Sequence, residues 1–156
     1  MGAGLKFTTT DKPEGFEVRL DGSIDEDSGI ERIVLPKGKP VFIYLTNVGT
    51  INSTGIREWL NWTKSYQDEE WHLNECPTHF INQLNMIDQF VPPKSKVVSF
   101  FVPFFSDELN EEKIVLVDRA SCTNGTLNVE TPKDSQGNEM EIDVIPERFL
   151  KFTKKL

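Results

Sequence analysis

Two hydrophobic periods alternate along the chain, and between them they lay out most of its elements. Residues 16–20 (Phe-Glu-Val-Arg-Leu) alternate apolar and polar, the mark of a strand with one buried face. Residues 6–10 also read as a strand, and Asp11-Lys-Pro-Glu-Gly15 reads as a turn, so the two runs predict a hairpin. The run 41–45 (Val-Phe-Ile-Tyr-Leu), rich in β-branched and aromatic residues, predicts a buried strand. A polar loop containing Asn52, Ser53, Thr54 and Gly55 follows. Apolar residues then return at Ile56, Trp59, Leu60 and Thr63, the spacing of one helix face. Between hairpin and strand, residues 27–33 hold a helical turn at most.

Residues 71–74 predict a short strand, and Pro77 suits the first position of a second helix. Phe80, Leu84 and Ile87 share a face of that helix, Ile81 and Phe90 broaden it, and Pro92-Pro93 ends it. From residue 96 the pattern becomes β-rich. Residues 97–105 read as a strand in which Pro103 demands an edge or a bulge. Residues 114–117 read as a buried strand, residues 140–144 as a half-buried one, and the tail from Pro146 as a short helix. The order predicts an α/β fold, a mixed sheet covered by helices over residues 1–95, with a β-rich C-terminal extension over 96–156.

Composition narrows the classes of function. The chain has 156 residues, enough for one domain with an appendage, and eleven Phe and three Trp supply a core. A net charge of -8 weighs against nucleic acid or an anionic membrane as partner. No run reaches the length of a membrane span, and the N-terminal residues carry neither an apolar leader nor a myristoylation pattern, so a cytoplasmic location is expected. The two cysteines, Cys76 and Cys122, do not make a disulfide framework.

The loop at residues 52–55 carries the strongest chemical signal. It places Ser53 and Thr54 at a helix N-terminus, where free N–H groups and the helix dipole favour negative charge, including a phosphate. The plain alternative is that Asn52, Ser53 and Thr54 only cap the helix. His72, Cys76 and His79 have the residue types of a metal site, but no fourth ligand is evident and none is expected to bind metal. A serine hydrolase is not expected either, because Gly-x-Ser-x-Gly is absent. Trp59, Trp62 and Tyr66 follow the apolar stripe of the first helix. Trp62 lies toward its margin, where an exposed indole would anchor a partner.

Gly22-Ser-Ile-Asp25, the strand end at Tyr44-Leu-Thr-Asn-Val48, and Ile51-Asn-Ser-Thr-Gly-Ile56 opening a helix resemble the STAS domain of anti-sigma factor antagonists and sulfate transporters. The resemblance covers roughly residues 5–92. It implies a sheet covered by helices on one side, no catalysis, no cofactor, and reversible binding of an anti-sigma factor or switch kinase-like protein in bacterial signalling. Ser53 corresponds to the serine that the partner kinase phosphorylates. The loop Asn52, Ser53, Thr54 and Gly55, with Glu58 and Trp62 on the helix behind it, is the implied contact surface. Asn52 stands where the family keeps an acid, Thr54 replaces a second serine, and the first family helix is cut down to residues 27–33. A structural or oligomerisation module without the switch, and a small-ligand-binding STAS domain, are the alternative roles.

The extension resembles a zinc ribbon stripped of its ligands. Cys-x-x-Cys knuckles would fall near Ser106 and Leu109 and near Thr131 and Asp134, where no cysteine stands, so no zinc is expected.

Overall fold

The alternating segments become strands of a mixed sheet, and the segments of helical period cover one of its faces. The computed structural model describes residues 4–156. The leader and acylation readings rest partly on Met1, Gly2 and Ala3, which lie outside those residues. β1 (Lys6–Lys12) and β2 (Gly15–Ile24) pair antiparallel as the predicted hairpin. β3 (Val41–Ile51), β4 (Trp71–Asn74) and β5 (Lys96–Val97) then add in order, each parallel to the strand before it. Parallel neighbours need crossovers. These are the segment containing the 3-10 turn Ile30–Arg32, helix α1 (Ser53–Thr63) and helix α2 (Thr78–Met86). Among the described residues no helix is long and apolar enough to cross a membrane.

β3 runs to Ile51, well past the apolar stretch that predicts it. Its second half pairs only with β2, through two register shifts, and its polar residues Thr46, Asn47 and Thr50 stay exposed.

The sheet does not stop at β5. Val98 N donates to Leu73 O (2.8 Å), Cys76 N to Ser99 O (3.1 Å) and Phe101 N to Cys76 O (2.9 Å). The strand beside β4 therefore continues into β6 (Ser99–Ser106), which pairs antiparallel with β7 (Glu111–Asp118). The hairpin β8 (Cys122–Thr123) and β9 (Thr126–Leu127) follows, then β10 (Glu141–Ile142), which joins the far end of β6, and helix α3 (Pro146–Phe149). One buried cluster runs under the whole sheet. Val18, Leu20, Ile43, Leu73 and Val97 face α1 and α2, and Phe100, Val102 and Phe104 continue that face toward Phe149, Leu150 and Phe152. At its centre the Trp59 ring stacks on Phe90 at 5.6 Å, and its Nε1 donates to Phe90 O at 2.7 Å.

Three sequence expectations need correction. β7 is an edge strand, not a buried one: Ile114 is 64% and Leu116 47% exposed, because among the described residues only β6 pairs with it and nothing covers its outer face. Pro103 lies inside a three-stranded sheet, without a bulge in its pairing with β7. Its oxygen accepts from Asp143 N (2.9 Å), so its missing N–H points toward β10, whose ladder ends at Ile142 and needs no donor there. Residues 140–144 form only the two-residue β10.

Candidate functional site

The hydroxyl loop is held by hydrogen bonds of Asn52 to the start of α1, to the end of β2 and to the turn after it. Asn52 leaves β3 in extended conformation and caps the helix, its Oδ1 accepting from Gly55 N at 2.8 Å. Ile56 N donates to Asn52 O (2.8 Å), closing the first helical bond. Asn52 N donates to Ile24 O (3.3 Å), and Asn52 Nδ2 donates to Glu26 Oε2 (2.8 Å). The side chain thus uses both ends of its amide.

Gly55 is the seat of the helix. A Cβ there would lie 1.7 Å from Ile24 O and 2.4 Å from Ile24 C, so α1 approaches the end of β2 closer than any side chain permits. Sequence reasoning takes this glycine as part of a polar loop. The close approach it permits is a tertiary contact that no local pattern announces.

With the loop pinned from behind, Ser53 is exposed at the first helical position and Thr54 is half-buried. The first turn of α1 carries no acid, and Arg57 lies one turn along from Ser53. The turn after β2 is acidic. Asp25 Oδ1 accepts from Asp27 N (2.9 Å), and the Asn52 amide holds the Glu26 carboxyl below its ordinary range. The site therefore offers an exposed serine on a fixed backbone, at a helix N-terminus and close to an acidic turn.

Of the two helix residues expected beside the loop, Trp62 is buried and Glu58 is half-buried. Trp62 is only 5% exposed, packs against Trp59, Tyr66 and Trp71, and donates from Nε1 to Ile33 O at 2.8 Å. Its stripe position is core, because the segment around the 3-10 turn folds over the margin of the helix. Glu58 is half-buried and accepts from the fully buried Ser28 Oγ (3.0 Å), so its carboxylate holds that same segment.

His72, Cys76 and His79 have separate surroundings. The His72 ring lies 4.9 Å from Phe42 and meets Glu70 at 2.8 Å. Cys76 is fully buried, and desolvation pushes its thiol far up, away from the reactive thiolate. Burial lowers the pKa of His79, partly offset by a hydrogen bond to the Val48 backbone. Among the described residues no three His, Cys, Asp or Glu side chains gather as a metal site.

At the ribbon-like end, two of the positions where knuckle ligands would fall do meet. Ser106 Oγ donates to Asp134 Oδ2 at 2.6 Å. Asp134 is buried and also accepts from Gln136 N, Asn138 N and Asn138 Nδ2. Desolvation raises its pKa, but these hydrogen bonds outweigh it and hold the carboxyl down at about 2. A carboxylate-centred network thus closes this turn.

No protein-family model matches the chain, and no curated protein matches its sequence.

The Asn52–Glu26 bond makes a prediction of its own. Asn52→Asp keeps the cap to Gly55 but sets a second carboxylate against Glu26. Because Asn52 lowers the Glu26 pKa, the wild-type bond stabilises the fold above the ordinary Glu range and is lost as pH falls through the lowered value. Thermal melts at neutral pH should show the variant less stable than wild type. The gap should close below about pH 4, where one carboxylate takes a proton. A gap that persists in acid would mean the repulsion is not its cause.

Proposed function

We propose that this chain is a non-enzymatic protein-binding module of the STAS type, acting in bacterial signalling from the cytoplasm. Its contact surface is the Asn52, Ser53, Thr54 and Gly55 loop. The observation that carries this reading is the presentation of Ser53: an exposed hydroxyl on the first residue of α1, on a backbone held by Asn52 and Gly55. The strand order β1-β2-β3-β4-β5, antiparallel then parallel, with α1 and α2 as crossovers on one face, supports the STAS assignment.

Phosphate on Ser53 would add about two negative charges beside an already acidic turn. Helix-end N–H groups and Arg57 favour the modified form, while Asp25, Glu26 and Asp27 oppose it. The modification therefore redraws the charge of the contact surface without moving its backbone. An anti-sigma factor or switch kinase-like protein is the partner this chemistry suits.

Phosphopeptide mapping of the protein from its native cell, with capture by wild-type and Ser53→Asp baits, tests the proposal. Phosphate on Ser53, and a partner held by wild type but released by Ser53→Asp, is the expected result. Ser53 unmodified under every growth condition, with identical capture by both baits, would refute the switch and leave a module that binds without one. The hydrogen bond from Asn52 to Glu26 favours that second reading, because it occupies the side chain that replaces the family's acid.

A further inference from the structure

Hydrogen bonding divides β3 into two halves. Its first residues, Val41 to Tyr44, pair on both sides, with β2 and with β4, whereas residues 45–51 have only β2. This far half runs directly into Asn52 and the Ser53 loop. Helix α2 packs against β3, and His79 in its first turn hydrogen-bonds to the Val48 backbone within the far half.

The His79 seat accommodates one ring proton. The bond to Val48 favours the protonated ring, so Val48 offers its carbonyl oxygen and the imidazole donates. Although His79 is half-buried as a residue, its Nε2 is enclosed by protein and has no hydrogen-bond partner among the described residues. The donor is therefore Nδ1–H, and in the neutral ring Nε2 is a bare acceptor. A second proton would sit on Nε2 as a charged donor shut off from any acceptor. The ring also lies at the N-terminal end of a nine-residue helix, whose polarity there disfavours a cation.

No neighbouring charge offsets these costs. α2, β3 and β6 carry no Asp, Glu, Lys or Arg. Around them stand Glu75 and the Cys76 thiol before α2, Asp88 after it, and Arg57 and Glu58 on α1. Glu147 and Arg148 lie on α3, and Lys151 and Lys154 in the turn that follows it. None of these groups contributes to the His79 pKa, which burial lowers and the Val48 bond alone raises.

We propose that His79 is a pH-sensitive latch: its neutral ring ties α2 to the far half of β3, and a proton on Nε2 releases the tie. The imidazolium reaches solvent for its new N–H only by leaving the seat, and the Val48 bond is lost with it. Because the folded-state pKa lies below the ordinary value of about 6.5, the latch contributes fully above that value and is lost as pH falls below it. The segment it releases carries the Ser53 loop, so on the switch reading acid would loosen the contact surface; the latch itself stands without that reading.

The chain has two histidines, and proton NMR of the full chain can follow both rings, with His79→Gln assigning the signals. The His79 ring should titrate below about pH 6.5. Thermal melts between pH 8 and pH 5 should show wild type losing more stability than His79→Gln, whose neutral amide can still donate to Val48. His72→Gln should keep the wild-type loss. Amide exchange, corrected for its intrinsic pH dependence, should rise in residues 46–51 before it rises in residues 42–44 as the pH drops. A His79 ring that titrates at or above the ordinary value would overturn the proposal. So would equal pH dependence of wild type and His79→Gln, or exchange that rises together in both halves of β3.

Discussion

Gly55→Ala should destabilise the fold by about 3 kcal/mol or more, at the upper end of what overpacking costs. Its Cβ would fall 1.7 Å from Ile24 O, 2.4 Å from Ile24 C and 3.0 Å from Asp25 N. All three are backbone atoms of the β2 end, so no flexible side chain can swing aside. Helix α1 must then lift from its seat, which strains the Asn52 cap and the packing of Trp59 together. Urea unfolding should show a lower midpoint with an unchanged slope, and the melting temperature should fall by about 6–12 °C for a chain of this size. Gly49→Ala is the control. Its nearest neighbour is the Ser23 hydroxyl at 3.0 Å, a side-chain atom that can turn, so its effect should be much smaller. Equal stability of the Gly55→Ala and Gly49→Ala variants would contradict the close approach.

The legible parts of the fold are those where one strand or helix carries its own period. The alternation of residues 16–20, the apolar run at 41–45 and the helical spacing from Ile56 each appear where they are predicted, and residues 71–74 match β4. The first crossover is short in the sequence and short in the structure, a single 3-10 turn. What local pattern misses is pairing. The run Ile-Val-Leu-Val at 114–117 looks interior, yet the chain places it at an edge, because burial of a strand depends on neighbours that periodicity does not encode. The continuation of the sheet from β5 into β6 rests on backbone bonds to Cys76, which side-chain identity does not specify.

The same division holds in the site. The run of Asn52, Ser53 and Thr54 before an apolar stripe announces a capped helix, and Asn52 does cap it. The contact of Asn52 with Glu26 spans 26 positions in sequence, and that of Glu58 with Ser28 spans 30. Neither has a local signature. Both involve the shortened first crossover, and they show how so short a segment is held. Side chains of the loop and of α1 reach back to it, which is also why Glu58 is not free at the surface.

Trp62→Ala should cost about 3–5 kcal/mol, the range for removing a buried aromatic ring. The indole has ring neighbours Trp71 at 5.2 Å, Trp59 at 5.4 Å and Tyr66 at 5.7 Å, so alanine would leave a cavity among groups too large to collapse into it. It would also strand Ile33 O, which accepts from Nε1 at 2.8 Å and joins α1 to the crossover. Trp62→Phe reduces the first effect, since it keeps one six-membered ring in the site while the donor to Ile33 O is lost. Its cost should be about 1–3 kcal/mol, that of a buried acceptor left unpaired. Urea denaturation followed by tryptophan fluorescence measures both variants. The measurement also decides where Trp62 acts. An indole serving as a partner anchor would lose binding on truncation while the fold kept its stability. A buried strut gives the reverse: the Trp62→Ala chain unfolds at much lower urea, and the Trp62→Phe chain, once folded, presents an unaltered Ser53 loop.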